Sequence, residues 1–357
     1  MPKRHVKLFF SLALLFLVVG QVHAGGETIQ LGEAVKLALE VSIDHRIAKL
    51  EWEQAQIAYQ KAMADNLLAQ STYNQRLAEL NLLKGETTYK KSIANTVITA
   101  VRRFTEVELA TRDVQIRGEQ LMQSQKAYAL TLKKAETQNA SEHDVLDAKA
   151  ALAKSQAEFE KAQGTLVENQ KAFFLVTGTD QYLPDGELPL APLEVELGEA
   201  LPIVLDSSVA LKEANENLEL ARLDLERLLL DETAELLMRE ARNKVSLAEL
   251  RLEQSQVSIT QEVTAAYNAA YHGLRAYETA CISRELQDKQ YGVTQRQVAA
   301  GLKTEEDLTK AQIALWEADR SVYSSLANYT IALLQFDEVI GKDLSSSLQM
   351  MVQAADR

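Results

Sequence analysis

The chain has 357 residues, and its 51 acidic side chains outnumber its 38 basic ones, which gives a formal net charge of -13 at pH 7. A surface this acidic disfavours nucleic acid and anionic lipid as direct partners. Cys281 is the only cysteine, so an internal disulfide is excluded. Aromatic residues are scarce, at 6%, while Ala, Leu, Glu, Gln and Lys abound, a composition typical of long helices and coiled coils.

Residues 1–24 have the pattern of a secretory signal peptide. Three basic residues precede an apolar stretch that ends at Gly20, and Val22-His23-Ala24 supplies the small residues of a cleavage site. The apolar stretch has about 13 residues, fewer than the roughly 20 that a membrane-spanning helix needs. We therefore expect cleavage after Ala24 and export of the remaining chain.

Residues 25–183 predict a first helical repeat. Helix-forming residues run without proline through this repeat, which allows very long helices. A break at Asp65-Asn66 would divide a helix of about 22 residues from one of about 68, and Gly85 is an alternative break. The long helix is expected to end in a tight turn at 137–141.

Four prolines mark the connection between two repeats. After Pro2, the prolines of the chain are Pro184, Pro189, Pro192 and Pro202. Because proline breaks helices and favours extended backbone, this region predicts an ordered linker at 184–196. A second helical repeat at 197–344 and a C-terminal tail at 345–357 follow.

The second repeat is a copy of the first. Leu-Gly-Glu-Ala at 31–34 returns at 197–200, 166 positions later, and Asp144-Val145 returns as Asp307-Leu308, 163 positions later. The unit is far longer than a solenoid repeat. Ser141-x-x-Asp144 and Thr304-x-x-Asp307 have the form of capping boxes, so each is expected to open the last helix of its repeat, of about 35 residues.

The last helix of each repeat has small and apolar residues at alternating steps of three and four. Such a heptad pattern predicts coiled-coil packing, so the predicted fold is all-α, with long antiparallel helical hairpins in two tandem repeats. The pattern comprises Val145, Ala148, Leu152, Ser155, Phe159, Ala162, Leu166, Asn169 and Phe173 in the first repeat, and Leu308, Ala311, Leu315, Ala318, Val322, Ser325, Tyr329, Ala332 and Phe336 in the second.

The segment Tyr291-x-x-x-x-Arg296-x-x-x-x-Gly301-Leu302-x-x-x-x-Asp307-Leu308 resembles the signature of the TolC-like outer membrane factor family. The resemblance implies a homotrimer whose six hairpin halves form a hollow α-barrel. It also implies a periplasmic adaptor and an inner-membrane pump as partners, and a place in the outer membrane or periplasm of a diderm envelope.

Family members insert a β-hairpin between the short and long helices of each repeat, and these hairpins build a barrel in the membrane. Residues 65–104 and 231–267 lack the alternation of such strands and have helical spacing instead. We therefore expect no β-barrel strands, and direct membrane insertion becomes doubtful.

The resemblance also assigns roles to the two turns, 137–141 and 299–304. They would form a periplasmic tip that docks the adaptor and narrows the tunnel. Gly301 has a physical reason of its own, since a turn there needs positive φ. The aspartates have two open interpretations: helix caps alone, or caps that also ring the aperture. The adaptor-docking residues are Arg296, Gly301, Leu302, Asn139, Ala140 and Ser141, and the aperture residues are Asp144, Asp147, Asp307 and Lys303.

The sequence offers no enzymatic motif. It has no phosphate-binding loop, no paired cysteines and no His-x-x-x-His spacing, so we expect no catalysis, cofactor or metal. The function hypothesis is an exit duct in a tripartite efflux or type I secretion system. The alternative is a non-conducting coiled-coil scaffold or spacer of the envelope. Oligomer geometry separates them, because only the duct needs an empty axis.

Overall fold

The computed structural model describes residues 27–180, 182–230, 234–342 and 344. The predicted signal peptide and the tail 345–357 lie outside the described residues. Within them the chain forms eight helices and two short strands. In chain order these are β1 Glu27–Ile29, α1 Leu31–Val41, α2 Ile43–Ala69, α3 Thr72–Glu136, α4 Glu142–Thr177, β2 Tyr182–Pro184, α5 Leu197–Ser207, α6 Val209–Leu230, α7 Glu235–Ala299 and α8 Glu305–Val339.

The predicted helical hairpins are confirmed in both repeats. The long helices α3 and α7 have 65 residues each, about 100 Å at 1.5 Å per residue. In the first repeat α3 packs against α2 and α4, and in the second α7 packs against α6 and α8. The shorter helices lie end to end along each long one, with 27 and 36 residues in the first repeat and 22 and 35 in the second.

The first helix break lies at Gln70 and Ser71, five residues after the predicted site. Gln70 adopts a left-handed conformation, with φ of 46°. Asn66 stabilises the break, because its Oδ1 accepts the backbone N–H of Ser71 and its Nδ2 donates to the carbonyl of Ser71, both at 2.9 Å. The Oγ of Ser71 then caps α3 by accepting the N–H of Asn74.

The alternative break at Gly85 is wrong, because Gly85 lies inside α3. A Cβ atom there would stand 2.7 Å from the Cβ of Ala55 and 3.2 Å from the ring of Trp52. The glycine therefore marks a close approach of α3 to α2, which is the other common reason for glycine inside a helix.

Two features were not predicted. A short helix precedes α2 and α6, and Ser42 and Ser208 mark the kinks after α1 and α5 by accepting a backbone N–H three residues ahead. The strands β1 and β2 pair in parallel, with Glu27 opposite Tyr182, and attach the beginning of the described chain to the linker.

Pro202 lies inside α5, within the predicted second repeat. Pro202 is the sixth of the 11 residues of α5, and because it has no N–H it removes one backbone hydrogen bond of the helix.

The heptad residues pack where the pattern predicts. Phe173 of α4 is fully buried against Phe104 of α3, with ring centroids 6.3 Å apart. Polar members of the pattern also have partners on α3: the Oγ atoms of Ser155 and Ser124 lie 2.7 Å apart, and the amide of Asn169 donates to a backbone carbonyl. These small residues keep the two helices close together.

The two repeats contact each other through α3. Arg320 of α8 forms an ion pair with Asp113 of α3 at 2.6 Å, and Glu317 accepts a hydrogen bond from Gln120. Residue numbers rise along α3 as they fall along α8, so these helices are antiparallel. The turn after α3 and the turn before α8 therefore lie at the same end of the molecule.

A partly buried acid lies at this contact. Burial raises the pKa of Glu108 to about 7, Asp185 raises it further, and Arg112 opposes the shift. The side chain of Glu108 is only 14% exposed, and the guanidinium of Arg112 lies 4.5 Å from the ring centre of Tyr323. Glu108 is therefore protonated in much of the folded population near neutral pH.

We predict that Glu108→Gln stabilises the fold at pH 8 but not at pH 5. Because the folded pKa exceeds the ordinary value of 4.5, the wild-type chain loses stability as pH rises from 4.5 towards 7. The amide carries no charge to bury, so the variant should gain up to about 3 kcal/mol at pH 8. Thermal denaturation of both chains at several pH values measures the difference in stability. Stability profiles that run parallel with pH would contradict the raised pKa of Glu108.

Candidate functional site: the paired turns at the hairpin end

The first turn follows α3 and reverses the chain within a few residues. The N–H of Gln138 donates to the carbonyl of Ala135, and the N–H of Asn139 donates to that of Lys134, at 3.0 and 2.7 Å. These two bonds form a Schellman motif, which satisfies carbonyls that a helix end would leave free. Gln138 takes the left-handed conformation, with φ of 59°.

The second turn repeats this geometry after α7. The N–H of Gly301 donates to the carbonyl of Val298 and that of Leu302 to Gln297, at 2.9 and 2.8 Å. Gly301 has φ of 71°, and no atom lies within 4 Å of the position a Cβ would take. The predicted positive φ is confirmed. The glycine is required by the backbone conformation and not by a neighbour.

The first turn reaches the same conformation without glycine. A non-glycine residue in the left-handed region costs about 1–2 kcal/mol. Side chains hold this turn, since Asn139 donates to the hydroxyl of Thr137, which donates to the carbonyl of Lys134. The two turns are therefore similar in backbone but different in how they are maintained.

Both predicted capping boxes are present. The carboxylate of Asp144 accepts hydrogen bonds from the N–H and the hydroxyl of Ser141, each at 2.7 Å. The backbone N–H of Asp144 donates to the same hydroxyl. Asp307 and Thr304 make the same three bonds. The backbone and hydroxyl hydrogen bonds lower the pKa of both aspartates, so both carboxylates are ionised at neutral pH.

The other proposed site residues lie around these caps. Asp147 stands one turn into α4 and approaches the imidazole of His143 at 3.4 Å. Arg296 is exposed in the last turn of α7, where its Nε donates to the carbonyl of Gly292. Lys303 is exposed in the second turn. Asn139 is exposed and Ala140 half-buried in the first turn.

Leu302 is the most unusual residue of the tip. A leucine in this position of a Schellman motif often packs back on its own helix. Here its side chain is 77% exposed. The molecule thus presents an apolar side chain at the end of the second hairpin, beside the charged residues of the caps. The structure brings all ten predicted residues to one end of the hairpins.

Sequence reasoning missed a set of exposed apolar residues along α7, including Leu250, Ile282 and Leu286, each at least 63% exposed. A position-by-position comparison of the two repeats could have found them, because their counterparts in α3 are Thr87, Glu119 and Gln123.

No family model and no curated protein matches the sequence. Solved structures do match. CusC, a protein that forms a transmembrane channel, has a TM-score of 0.63 at 15% identity, and the match covers 90% of this chain and 95% of that chain. The Campylobacter jejuni outer membrane channel CmeC has a TM-score of 0.60 at 12% identity, and the match covers 91% of this chain and 90% of that chain. The Vibrio cholerae outer membrane protein VceC has a TM-score of 0.59 at 12% identity, and the match covers 87% of this chain and 96% of that chain.

At these identities the likeness defines the fold. The chain has the helical-hairpin fold of outer membrane channels, and the predicted resemblance to TolC-like proteins is confirmed at that level. Among the described helices, none combines the length and apolar character that crossing a bilayer requires. The same described residues contain no group of three or more His, Cys, Asp or Glu side chains placed to hold a metal ion.

We predict that Asp144→Asn loosens the first turn while Asp147→Asn does not. The carboxylate of Asp144 receives two bonds from Ser141, and a charged acceptor binds more strongly than an amide. The N–H of Ser141 should therefore exchange with deuterium several-fold faster in the first variant.

The folded pKa of Asp144 lies below its ordinary value of 3.8, so its stabilising effect is present above pH 3.8 and is lost as the pH falls below it. Exchange rates corrected for intrinsic pH dependence should show this loss in the wild-type chain. Equal protection in both variants would rule out the cap as the stabilising feature.

Proposed function

We propose that the chain is a subunit of a trimeric exit duct in a tripartite efflux or type I secretion system, in the outer membrane or periplasm of a diderm envelope. The observation that carries the proposal is the fold, shared over 90% of this chain with CusC. Cargo would pass through a hollow helical tunnel without chemical change, so the duct itself needs no catalytic residue.

The tip supports adaptor docking by its accessibility. Arg296, Leu302 and Asn139 are exposed, and the two turns present them at the same end of the molecule. Gly301 and the Schellman bonds fix the direction of Leu302, while Ala140 and Ser141 complete the first turn. A periplasmic adaptor with complementary apolar and charged groups would bind here, and an inner-membrane pump would complete the system.

The aperture role of the aspartates is compatible with capping. Asp144 and Asp307 use one carboxylate oxygen each for the cap bonds, so the other oxygen can face an opening. In a trimer, Asp144, Asp147 and Asp307 would supply nine carboxylates around one axis, and Lys303 would lie beside them. Such a ring attracts cations.

Single-particle imaging of the purified protein tests the duct directly. A trimer with a water-filled axis is the expected result. A closed bundle would instead support the non-conducting scaffold, since the same hairpins can also pack into a solid rod. Loss of cargo export in cells that lack the protein would complete the test.

We predict that Gly301→Val abolishes adaptor capture while helicity stays unchanged. Valine is strained at φ of 71°, so the turn must change and redirect Leu302. A photoreactive amino acid in place of Leu302 should crosslink to the adaptor in cells, and the valine variant should lose at least about nine-tenths of this product.

Gly292→Val is the matched control. This glycine lies inside α7, with nothing within 4 Å of its Cβ position. Circular dichroism should show the same helicity for both variants. Full adaptor capture by the Gly301 variant would exclude the docking assignment.

A further inference from the structure

Arg112 lies between two partners that belong to different repeats. Its guanidinium carbon is 4.5 Å from the ring centre of Tyr323, on α8 of the second repeat, which is a cation–π contact. Its Nη2 is 3.9 Å from Oε2 of Glu108, on α3 of the first repeat, beyond the roughly 2.7–2.9 Å of a charge-assisted hydrogen bond. Arg112 therefore contacts the second repeat and stands apart from the acid on its own helix.

Hydrogen-bonding capacity is unused at this contact. Nε of Arg112 and the hydroxyl of Tyr323 are both buried, and neither has a hydrogen-bond partner among the described residues. Tyr323 is only 6% exposed, so solvent reaches little of the phenol. A buried donor of a charged group without an acceptor destabilises the folded state. A carboxylate nearby is therefore a strong competitor for Arg112.

The spacing of Glu108 and Arg112 allows them to pair. They are four residues apart on α3, with the acid nearer the start of the helix, which is the favourable order for an ion pair on a helix surface. Glu86 and Lys90 have the same spacing on this helix and form such a pair at 2.7 Å. The side chain of Arg112 is 35% exposed, so it can turn without displacing the core. A movement of Nη2 by about 1 Å would close the pair.

The surroundings of Glu108 decide when it attracts Arg112. Burial raises the pKa of Glu108 to about 7, Arg112 lowers it, and Asp185, which follows β2, raises it. On α8, burial raises the pKa of Tyr323, and the charge of Glu108 raises it further, so the phenol stays neutral where Glu108 titrates. Of the elements packed against α3 in the described chain, the linker and α8 supply the groups that interact with Glu108. The proton of Glu108 is therefore the variable that changes near neutral pH.

We propose that Arg112 is a proton-controlled switch that sets the strength of the contact between the two repeats. When Glu108 is protonated, Arg112 stays on the ring of Tyr323 and the contact of α3 with α8 is complete. When Glu108 releases its proton to solvent, the carboxylate draws Arg112 into a hydrogen-bonded pair within α3, and the cation–π contact is lost. The repeats then bind each other more weakly above neutral pH than below it. The switch lies within one chain and does not depend on the proposed duct.

A second charged pair at this contact is independent of the switch. Asp113 and Arg320 form a bidentate ion pair, with Nε 2.6 Å from Oδ1 and Nη2 2.7 Å from Oδ2. This pair joins α3 to α8 in both states of Arg112. The switch therefore changes the strength of the contact without separating the repeats.

Fluorine NMR of the full chain tests the movement of Arg112. Tyr323 is replaced by 4-fluorophenylalanine, which keeps an aromatic ring but cannot titrate. The fluorine signal should shift between pH 5.5 and pH 8.5 with a midpoint near 7, because the guanidinium leaves the ring as Glu108 ionises. Glu108→Gln should remove the shift and keep the signal at its low-pH position. A signal that does not move with pH in the labelled chain would overturn the proposal.

Glu106→Gln is the matched control. Glu106 lies on the same helix and pairs with Arg103 at 2.7 Å, so this variant removes a carboxylate but not the switch. The fluorine titration should be unchanged. Arg112→Gln separates movement of the guanidinium from a direct effect of the Glu108 charge on the ring. A titration that survives in this second variant would overturn the role of Arg112.

Hydrogen exchange measures the consequence for the contact. In the wild-type chain, amides of α8 around Tyr323 should exchange roughly three- to tenfold faster at pH 8.5 than at pH 5.5, after correction for the intrinsic pH dependence. Glu108→Gln should keep the slow exchange at both pH values. Equal corrected rates in the wild-type chain, or the same acceleration in Glu108→Gln, would overturn the coupling. Cargo export plays no part in either assay, so failure of the proposed duct would leave the switch standing.

Discussion

The contact of α3 with α8 is the interaction on which the rest of the structure depends. It joins the first repeat to the second through the ion pair of Asp113 with Arg320 and the stacking of Arg112 on Tyr323. Because these helices are antiparallel, it also brings both hairpin turns to one end. The contact covers α3 and leaves the equivalent face of α7 exposed, so a single chain has one used and one unused copy of the same surface.

Small residues let the long helices approach closely, in addition to the apolar core around Phe104, Phe173 and Tyr329. Gly85 admits the ring of Trp52, Gly118 lies 3.3 Å from the ring of Phe159 at its Cβ position, and Gly273 lies against the backbone of Tyr329. Such contacts make closely packed helix pairs. Helix pairs of this kind are better suited to form the wall of a tunnel than a globular core, in keeping with the proposed duct.

Much of the architecture could be predicted because it depends on local interactions. The heptad residues, the capping boxes and the positive φ of Gly301 involve groups within a few positions of one another. The break lies at Gln70 and not at the predicted Asp65-Asn66, because the side chain of Asn66 forms two hydrogen bonds with the backbone of Ser71, five residues later. No sequence pattern indicates these bonds. The interpretation of Gly85 as a helix break is wrong for a similar reason, since its role depends on a contact with Trp52 of another helix.

By itself the sequence determined the helices, the turns and the duplication, because periodicity, proline placement and capping residues act over one or two helical turns. The tertiary structure alone decided which faces are covered and which remain open. The faces of α3 and α7 derive from the same repeat, yet one is buried and the other exposed. The difference depends on contacts between residues as distant in sequence as Asp113 and Arg320, where the geometry of the assembled helices, and not local preference, selects the partner.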